Sequence, residues 1–158
     1  MRLVPIVPNE IAARSFLHRN DRNVDWTMQL KNTQAAEMRH QSMLADIASY
    51  LIEKGLTPFQ SGSIDLLFEH LGTTHLVELK SATPENCYSQ AAHGAFQLAL
   101  YRQRLRESFS TLRSLLIIES TSDPVNSLLR DTLAEMDLVC LFYKKALPWP
   151  DRVSRLLF

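Results

Sequence analysis

Cysteine is scarce in this chain: two residues in 158, Cys87 and Cys140, without the spacing of metal ligands. That excludes a disulfide framework and a thiolate-held metal, and predicts buried thiols in a reducing compartment. Glycine is equally sparse, and the four scattered glycines leave no Gly-rich loop to cradle a phosphate. The five histidines, His18, His40, His70, His75 and His93, lack ligand spacing too. No apolar run approaches the ~20 residues of a membrane span and the N-terminus has no signal-like apolar block, so a cytoplasmic protein without membrane contact is expected. Charge of either sign is not in excess, with 17 basic and 17 acidic residues. A broad basic surface for duplex nucleic acid is thereby excluded, and any such site must be a local groove.

What is present fits one globular domain. The chain is long enough to bury a real core, and its 46% hydrophobic and 22% charged fractions are ordinary for one. Its centre is a hairpin. In the stretch Ser63 to Lys80, the first run, to His70, reads as a half-buried strand, Leu71 to Thr74 as a turn region around Gly72, and His75 to Lys80 as the partner strand. With the turn centred on Leu71 and Gly72, Asp65 faces Glu78 across the pair. Cross-strand neighbours lie roughly 4.5–5.5 Å apart at Cβ, so two carboxylates are forced together, and like charges there destabilise unless something compensates them. Lys80, two residues beyond Glu78, shares that face. Hard carboxylate oxygens beside an ammonium suit Mg²⁺ or Mn²⁺.

Helices flank the hairpin. Leu44, Ile47, Ala48, Leu51 and Ile52 recur at helical spacing from Thr33 to Glu53, and Gly55 follows as a stop. Glu37 continues the buried stripe of that helix, seven residues before Leu44, which makes it a third candidate carboxylate. A second helix is predicted from Asn86 to Glu107, with Ala91, Ala92, Ala95, Leu98, Ala99 and Leu105 as its packing face. Its other stripe carries His93, Gln97, Tyr101 and Arg104 at spacings of four, four and three. Arg102, Arg104, Arg106 and Arg113 cluster in sequence nearby. Strands follow at Leu115 to Glu119 and Leu138 to Tyr143, separated by a helix that Asp123 caps and Pro124 opens. That order predicts a right-handed crossover and a parallel pair. A short strand is expected between Thr57 and Ser61, and a short helix from Asn9 to His18. Residues 1–32 read as an N-terminal arm and 33–158 as the domain; Trp149 and the final Leu156-Leu157-Phe158 read as a packed cover.

Asp65 followed by Glu78-Leu79-Lys80 on the next strand resembles the PD-(D/E)XK nuclease superfamily, although Ile64 stands where the name places proline. Gln97-x-x-x-Tyr101, on the helix directly after the acid-x-Lys strand, resembles the Q-x-x-x-Y motif of its RecB-like branch. The resemblance implies an α/β fold of the restriction-endonuclease-like kind, an α/β/α core with a central mixed sheet flanked by helices. It implies a Mg²⁺- or Mn²⁺-dependent nuclease acting on DNA, with Asp65, Glu78, Lys80, Gln97 and Tyr101 as catalytic residues. Metal ligation would fall to Glu37, Asp65, Glu78 and the Leu79 carbonyl, and strand contact to Tyr101, Arg102 and Arg104. The iron-sulfur cluster of some relatives needs four cysteines, and two are present. A single small domain of this kind commonly needs a partner protein or a second copy to hold duplex DNA. The alternative is a nuclease-like module for nucleic-acid binding or assembly, with catalysis weak or lost.

Overall fold

A computed structural model of the chain describes residues 3–14, 27–153 and 156; at 12–14 and 27–33 it describes the backbone alone. In chain order the elements are β1 (Val4–Pro5), α1 (Pro8–Arg14), α2 (Thr27–Glu53), β2 (Phe59–Gln60), β3 (Leu66–His70), β4 (Thr73–Lys80), α3 (Cys87–Leu105), β5 (Leu112–Glu119), α4 (Asp123–Ala134) and β6 (Val139–Tyr143). The strands form a single mixed sheet in the order β1-β2-β3-β4-β5-β6. β1 to β4 pair antiparallel, while β4, β5 and β6 pair parallel through α3 and α4. Helices cover both faces. No helix among the described residues is long and apolar enough to cross a membrane.

The hairpin turn fixes the register at the centre. Leu71 and Gly72 both adopt positive φ, 49° and 74°, as the two-residue turn that matches strand twist requires. Leu66 then pairs with Val77 and His70 with Thr73, the expected register. Strand alternation next sorts side chains into two cores. Leu66, Phe68, Val77, Leu79, Leu115 and Ile117 face α1 and α2, where Met43, Ile47 and Leu51 lie buried. Leu67, Leu76, Leu116, Ile118, Cys140 and Phe142 face α3 and α4.

Several boundaries differ from expectation, each for a local reason. α2 begins at Thr27, because no glycine or proline interrupts the chain before Gly55, whose φ of 78° ends the helix. The division at 32/33 therefore falls inside one helix. Within the preceding segment, β1 pairs with β2 and Ile6 and Ile11 are buried in the first core. The helix expected from Asn9 is α1, and residues 15–18 of that expectation lie outside the described ones. Ser122 rather than Asp123 stands at the α4 cap, since its backbone is still extended (φ −99°, ψ 152°), and Pro124 follows one place later in the first turn. On α3 the buried residues are Cys87, Ala91, Gly94, Ala95, Leu98 and Leu105, whereas Ala92 and Ala99 point outward. Both cysteines are buried and unpaired, and burial pushes the Cys140 thiol up to about 12. Trp149 stacks on Tyr50 with ring centroids 4.1 Å apart and Leu156 is buried, so these two residues do cover the first core, while residues 157–158 of that expectation lie outside the described ones.

The approach of α3 to the sheet depends on Gly94. A Cβ there would lie 2.5 Å from Leu116 Cδ1 and 3.3 Å from Lys80 Cγ, and Leu116 is fully buried. Alanine would add about 1 kcal/mol of helix propensity, but overpacking a tight core costs about 1–3 kcal/mol. Gly94→Ala is therefore expected to be net destabilising in urea denaturation. A stabilised variant would show that α3 has slack over β4 and β5.

Candidate active site

Four of the expected residues meet at one end of the sheet. Asp65 is the residue just before β3, and its Oδ2 accepts the Leu79 backbone N–H at 2.9 Å across the hairpin. That bond fixes the carboxylate beside the last residues of β4. Glu78 and Lys80 follow Leu76 on the face toward α3. The Lys80 stem passes beneath Gly94, and its Nζ donates to Glu78 Oε1 and to Gln97 Oε1, each at 2.6 Å. Gln97 thus reaches the strand from α3, as its place on the helix stripe predicts.

The electrostatics are unusual for a core. Glu78 is 2% exposed, and its Oε2 is buried without a hydrogen-bond partner among the described residues. Burial and then the negative charge of Asp65 push its carboxyl up to about 7, against the opposing pull of Lys80 and His40. An orphaned acidic oxygen in low dielectric is costly, because nothing replaces the water it has lost. The hydrogen-bonded ammonium satisfies only the other oxygen.

His40 on α2 belongs to this group, although histidine spacing gave it no role. Its Nε2 lies 3.2 Å from Asp65 Oδ2. Burial lowers its pKa, but the hydrogen bond to Asp65 and the Asp65 charge outweigh that and raise it overall. The signal that could have found it was present: His40 is four residues before Leu44, on the same stripe that pointed to Glu37. Glu119, at the end of β5, was also overlooked. Its Oε2 accepts the Ala82 N–H at 2.9 Å and Arg39 Nε at 3.2 Å, tying both the segment after Lys80 and helix α2 to the sheet.

Other expected residues stand apart. Glu37 is exposed, one turn before His40, and makes no contact with Asp65 or Glu78. Leu79 contributes its N–H to Asp65. Tyr101 is partly buried against the second core, and its hydroxyl has no hydrogen bond among the described residues. Arg102 pairs with Asp137 at 2.7 Å. Because β4 and β5 are parallel, α3 must run back along the sheet, carrying Arg104 about 10 Å beyond Gln97 at 1.5 Å per residue. Neither arginine lies at the Lys80 end. Among the described residues no group of three or more His, Cys, Asp or Glu side chains is arranged to hold a metal ion as it stands. The donor chemistry nevertheless fits a hard cation, with an uncompensated Glu78 oxygen next to the Asp65 charge.

A raised acid has a definite pH signature. Glu78 moves from an ordinary 4.5 to about 7 in the fold, so between those values the native state holds more protons than the unfolded state, and stability falls as pH rises. His40 acts with the same sign: its raised pKa stabilises below 6.5, and that contribution is lost as pH climbs through the raised value. In EDTA the protein is expected to lose stability between pH 5 and 8, on the order of 2–3 kcal/mol from Glu78. Glu78→Gln should flatten most of the slope in urea denaturation at the two pH values. A wild-type stability that rises over this interval would contradict the buried-acid geometry.

Compared with protein-family models, with curated proteins and with solved structures, the chain finds no match, so the chemistry of these side chains is what there is to reason from.

Proposed function

We propose that the chain is a metal-dependent nuclease of the PD-(D/E)XK kind, hydrolysing phosphodiester bonds in DNA. The observation that carries this reading is the orphaned, buried Glu78 oxygen beside Asp65, with Lys80 held on Glu78 and Gln97. A purely structural ion pair would have no reason to leave one acidic oxygen unpaired in a core, since such a group costs several kcal/mol. The sheet order and connections are compatible with the restriction-endonuclease-like core that the motif order implies. Charge balance favours a local site over a basic surface, in keeping with a net charge of zero.

On this reading Asp65 and Glu78 hold Mg²⁺ or Mn²⁺, with the Leu79 carbonyl as a further oxygen by resemblance and Glu37, exposed one turn from His40, contributing through water. When bound, the cation supplies positive charge against the charge growing on the phosphate and acidifies a water. The chain's own residues set the geometry. The Leu79 N–H and His40 lock the Asp65 carboxylate. Gln97 and Glu78 aim the Lys80 ammonium, which can steady an attacking water or a phosphate oxygen. A cationic His40 beside Asp65 would repel an incoming metal ion, so deprotonating it favours cation binding.

The test is cleavage of single- and double-stranded DNA and RNA with Mg²⁺ or Mn²⁺. Wild type should cut DNA, and Asp65→Ala and Lys80→Ala should each lose about 10²- to 10³-fold or more in rate. Activity that survives Asp65→Ala would remove that carboxylate from the mechanism. Thermal melting gives a second readout: Mn²⁺ should raise the midpoint of wild type and leave that of Glu78→Ala nearly unchanged.

A further inference from the structure

Beside the four clustered residues lies a cavity of about 420 Å³, opening between the N-terminal segment, helix α2 and the β2–β3 connection. His40 and Asp65 form its edge, so it is continuous with the candidate site. Its size falls at the lower end of the ~300–1,000 Å³ typical of small-molecule sites, room for one flat heterocycle with its sugar and not for a stacked base pair.

The lining is specific in kind. Pro5, Val7, Leu44 and Ile64 give apolar walls, and the amides of Gln41 and Gln60 stand among them. Those two amides have no hydrogen-bond partner among the described residues, so both remain available to a ligand. Among the described residues that line the cavity there is no lysine or arginine, while Asp65 stands at its edge. The walls are also pinned before any ligand arrives. Val4 pairs with Gln60, the Ile6 N–H donates to the Pro58 carbonyl at 2.9 Å, and Ser61 Oγ accepts the N–H groups of Ser63 and Ile64.

Apolar faces and amide edges, with the charged His40 and Asp65 confined to one rim, describe a receptor for a nucleobase more than for the backbone that carries it. We infer that this cavity takes one unpaired base of a DNA strand, the base next to the phosphate presented to Asp65. The inference rests on the reading of Asp65 as part of a phosphodiester-cleaving site, and it names the substrate class: single strands, or ends and flaps in which one base is already free of its partner. A paired base must leave its stack to enter, so intact duplex is the poorer substrate. The same arrangement answers the neutral net charge, because part of the affinity comes from base enclosure instead of phosphate neutralisation.

The experiment is a cycle between protein and strand, read by fluorescence anisotropy with a labelled single-stranded oligonucleotide in EDTA, so that no cleavage intervenes. An abasic residue is walked through the oligonucleotide one position at a time. For wild type, the abasic residue at one register should weaken binding about tenfold. Gln41→Trp, which fills the cavity from a half-buried position on α2, should bind the intact strand about tenfold more weakly and show no further loss with the abasic strand. Gln41→Ala and Gln60→Ala, which fill nothing, should give the same non-additivity at smaller amplitude and cover the case in which the tryptophan variant fails to fold. Equal affinity of wild type for intact and abasic strands, full additivity in every variant, or no binding of any strand would overturn the inference. Failure of the hydrolytic reading looks different: base-dependent binding without cleavage under Mg²⁺ or Mn²⁺ would sink the nuclease assignment and leave the cavity's role standing.

Discussion

The Glu78 carboxyl, drawn out of water between a strand and a helix, is the constraint around which this end of the molecule is built. Its side chain sits on the apolar face of β4, where Leu76 precedes it and α3 closes over it. An acid in that position survives only if a cation stands close, and Lys80 is the cation the strand itself can offer, two residues on and on the same face. To reach back, the lysine stem needs space under α3. Gly94 gives that space, with Ala91 and Ala95 keeping the rest of the helix close to the sheet. Gln97 then takes the remaining direction of the ammonium. A helix with larger residues at 91, 94 and 95 would stand further off, and both Lys80 contacts would lengthen.

The opposite layer supplies the second half of the constraint. Asp65 stands one residue before β3, so its carboxylate is not confined to the α3 side and can be touched from α2 by His40. The hairpin register decides this. A slip by one residue would turn Glu78 and Lys80 toward α2 and the first core, and would remove the Leu79 N–H from Asp65. Leu71 and Gly72, at the far end of the hairpin, thus govern a contact formed at its open end. Leu71 is 90% exposed, so its positive φ is set by the turn and not by core packing.

Much of this was legible because it is local. The Leu71-Gly72 turn sets the register, and the register alone brings 65 opposite 78; the four-residue step along one helix brings Gln97 to the strand it follows. The α/β order, the parallel strands β4 to β6 and the helix stop at Gly55 follow from short-range patterning in the same way. What was not legible depends on where separate elements meet. His40 has no motif around it, and its role arises only from the angle at which α2 crosses the end of β3. Glu37 sits one turn earlier on the same stripe, and the same angle leaves it in solvent. Arg102 looked like part of a basic stripe because sequence does not reveal Asp137, thirty-five residues on, across from it. β1 is two residues long, and nothing in Val4-Pro5 distinguishes an edge strand from a loop until Gln60 lies alongside.

Seen from the site, the polar groups divide by what they can tolerate. Lys80 and His40 place positive charge on opposite sides of two acids, so with both cationic the cluster is balanced when Glu78 is ionised and carries an excess positive charge when Glu78 holds a proton. On the proposed reading, a divalent cation held by Asp65 and Glu78 would displace that proton, so its affinity would rise with pH across the range in which Glu78 ionises. The same burial that makes the bare carboxylate costly strengthens its attraction for a cation, since both effects come from excluded water. A more exposed glutamate would relieve the strain on the fold and weaken the cation's hold in equal measure. On the proposed reading, the tension between those two demands would account for an acid that sits in the core with only one of its oxygens given to Lys80.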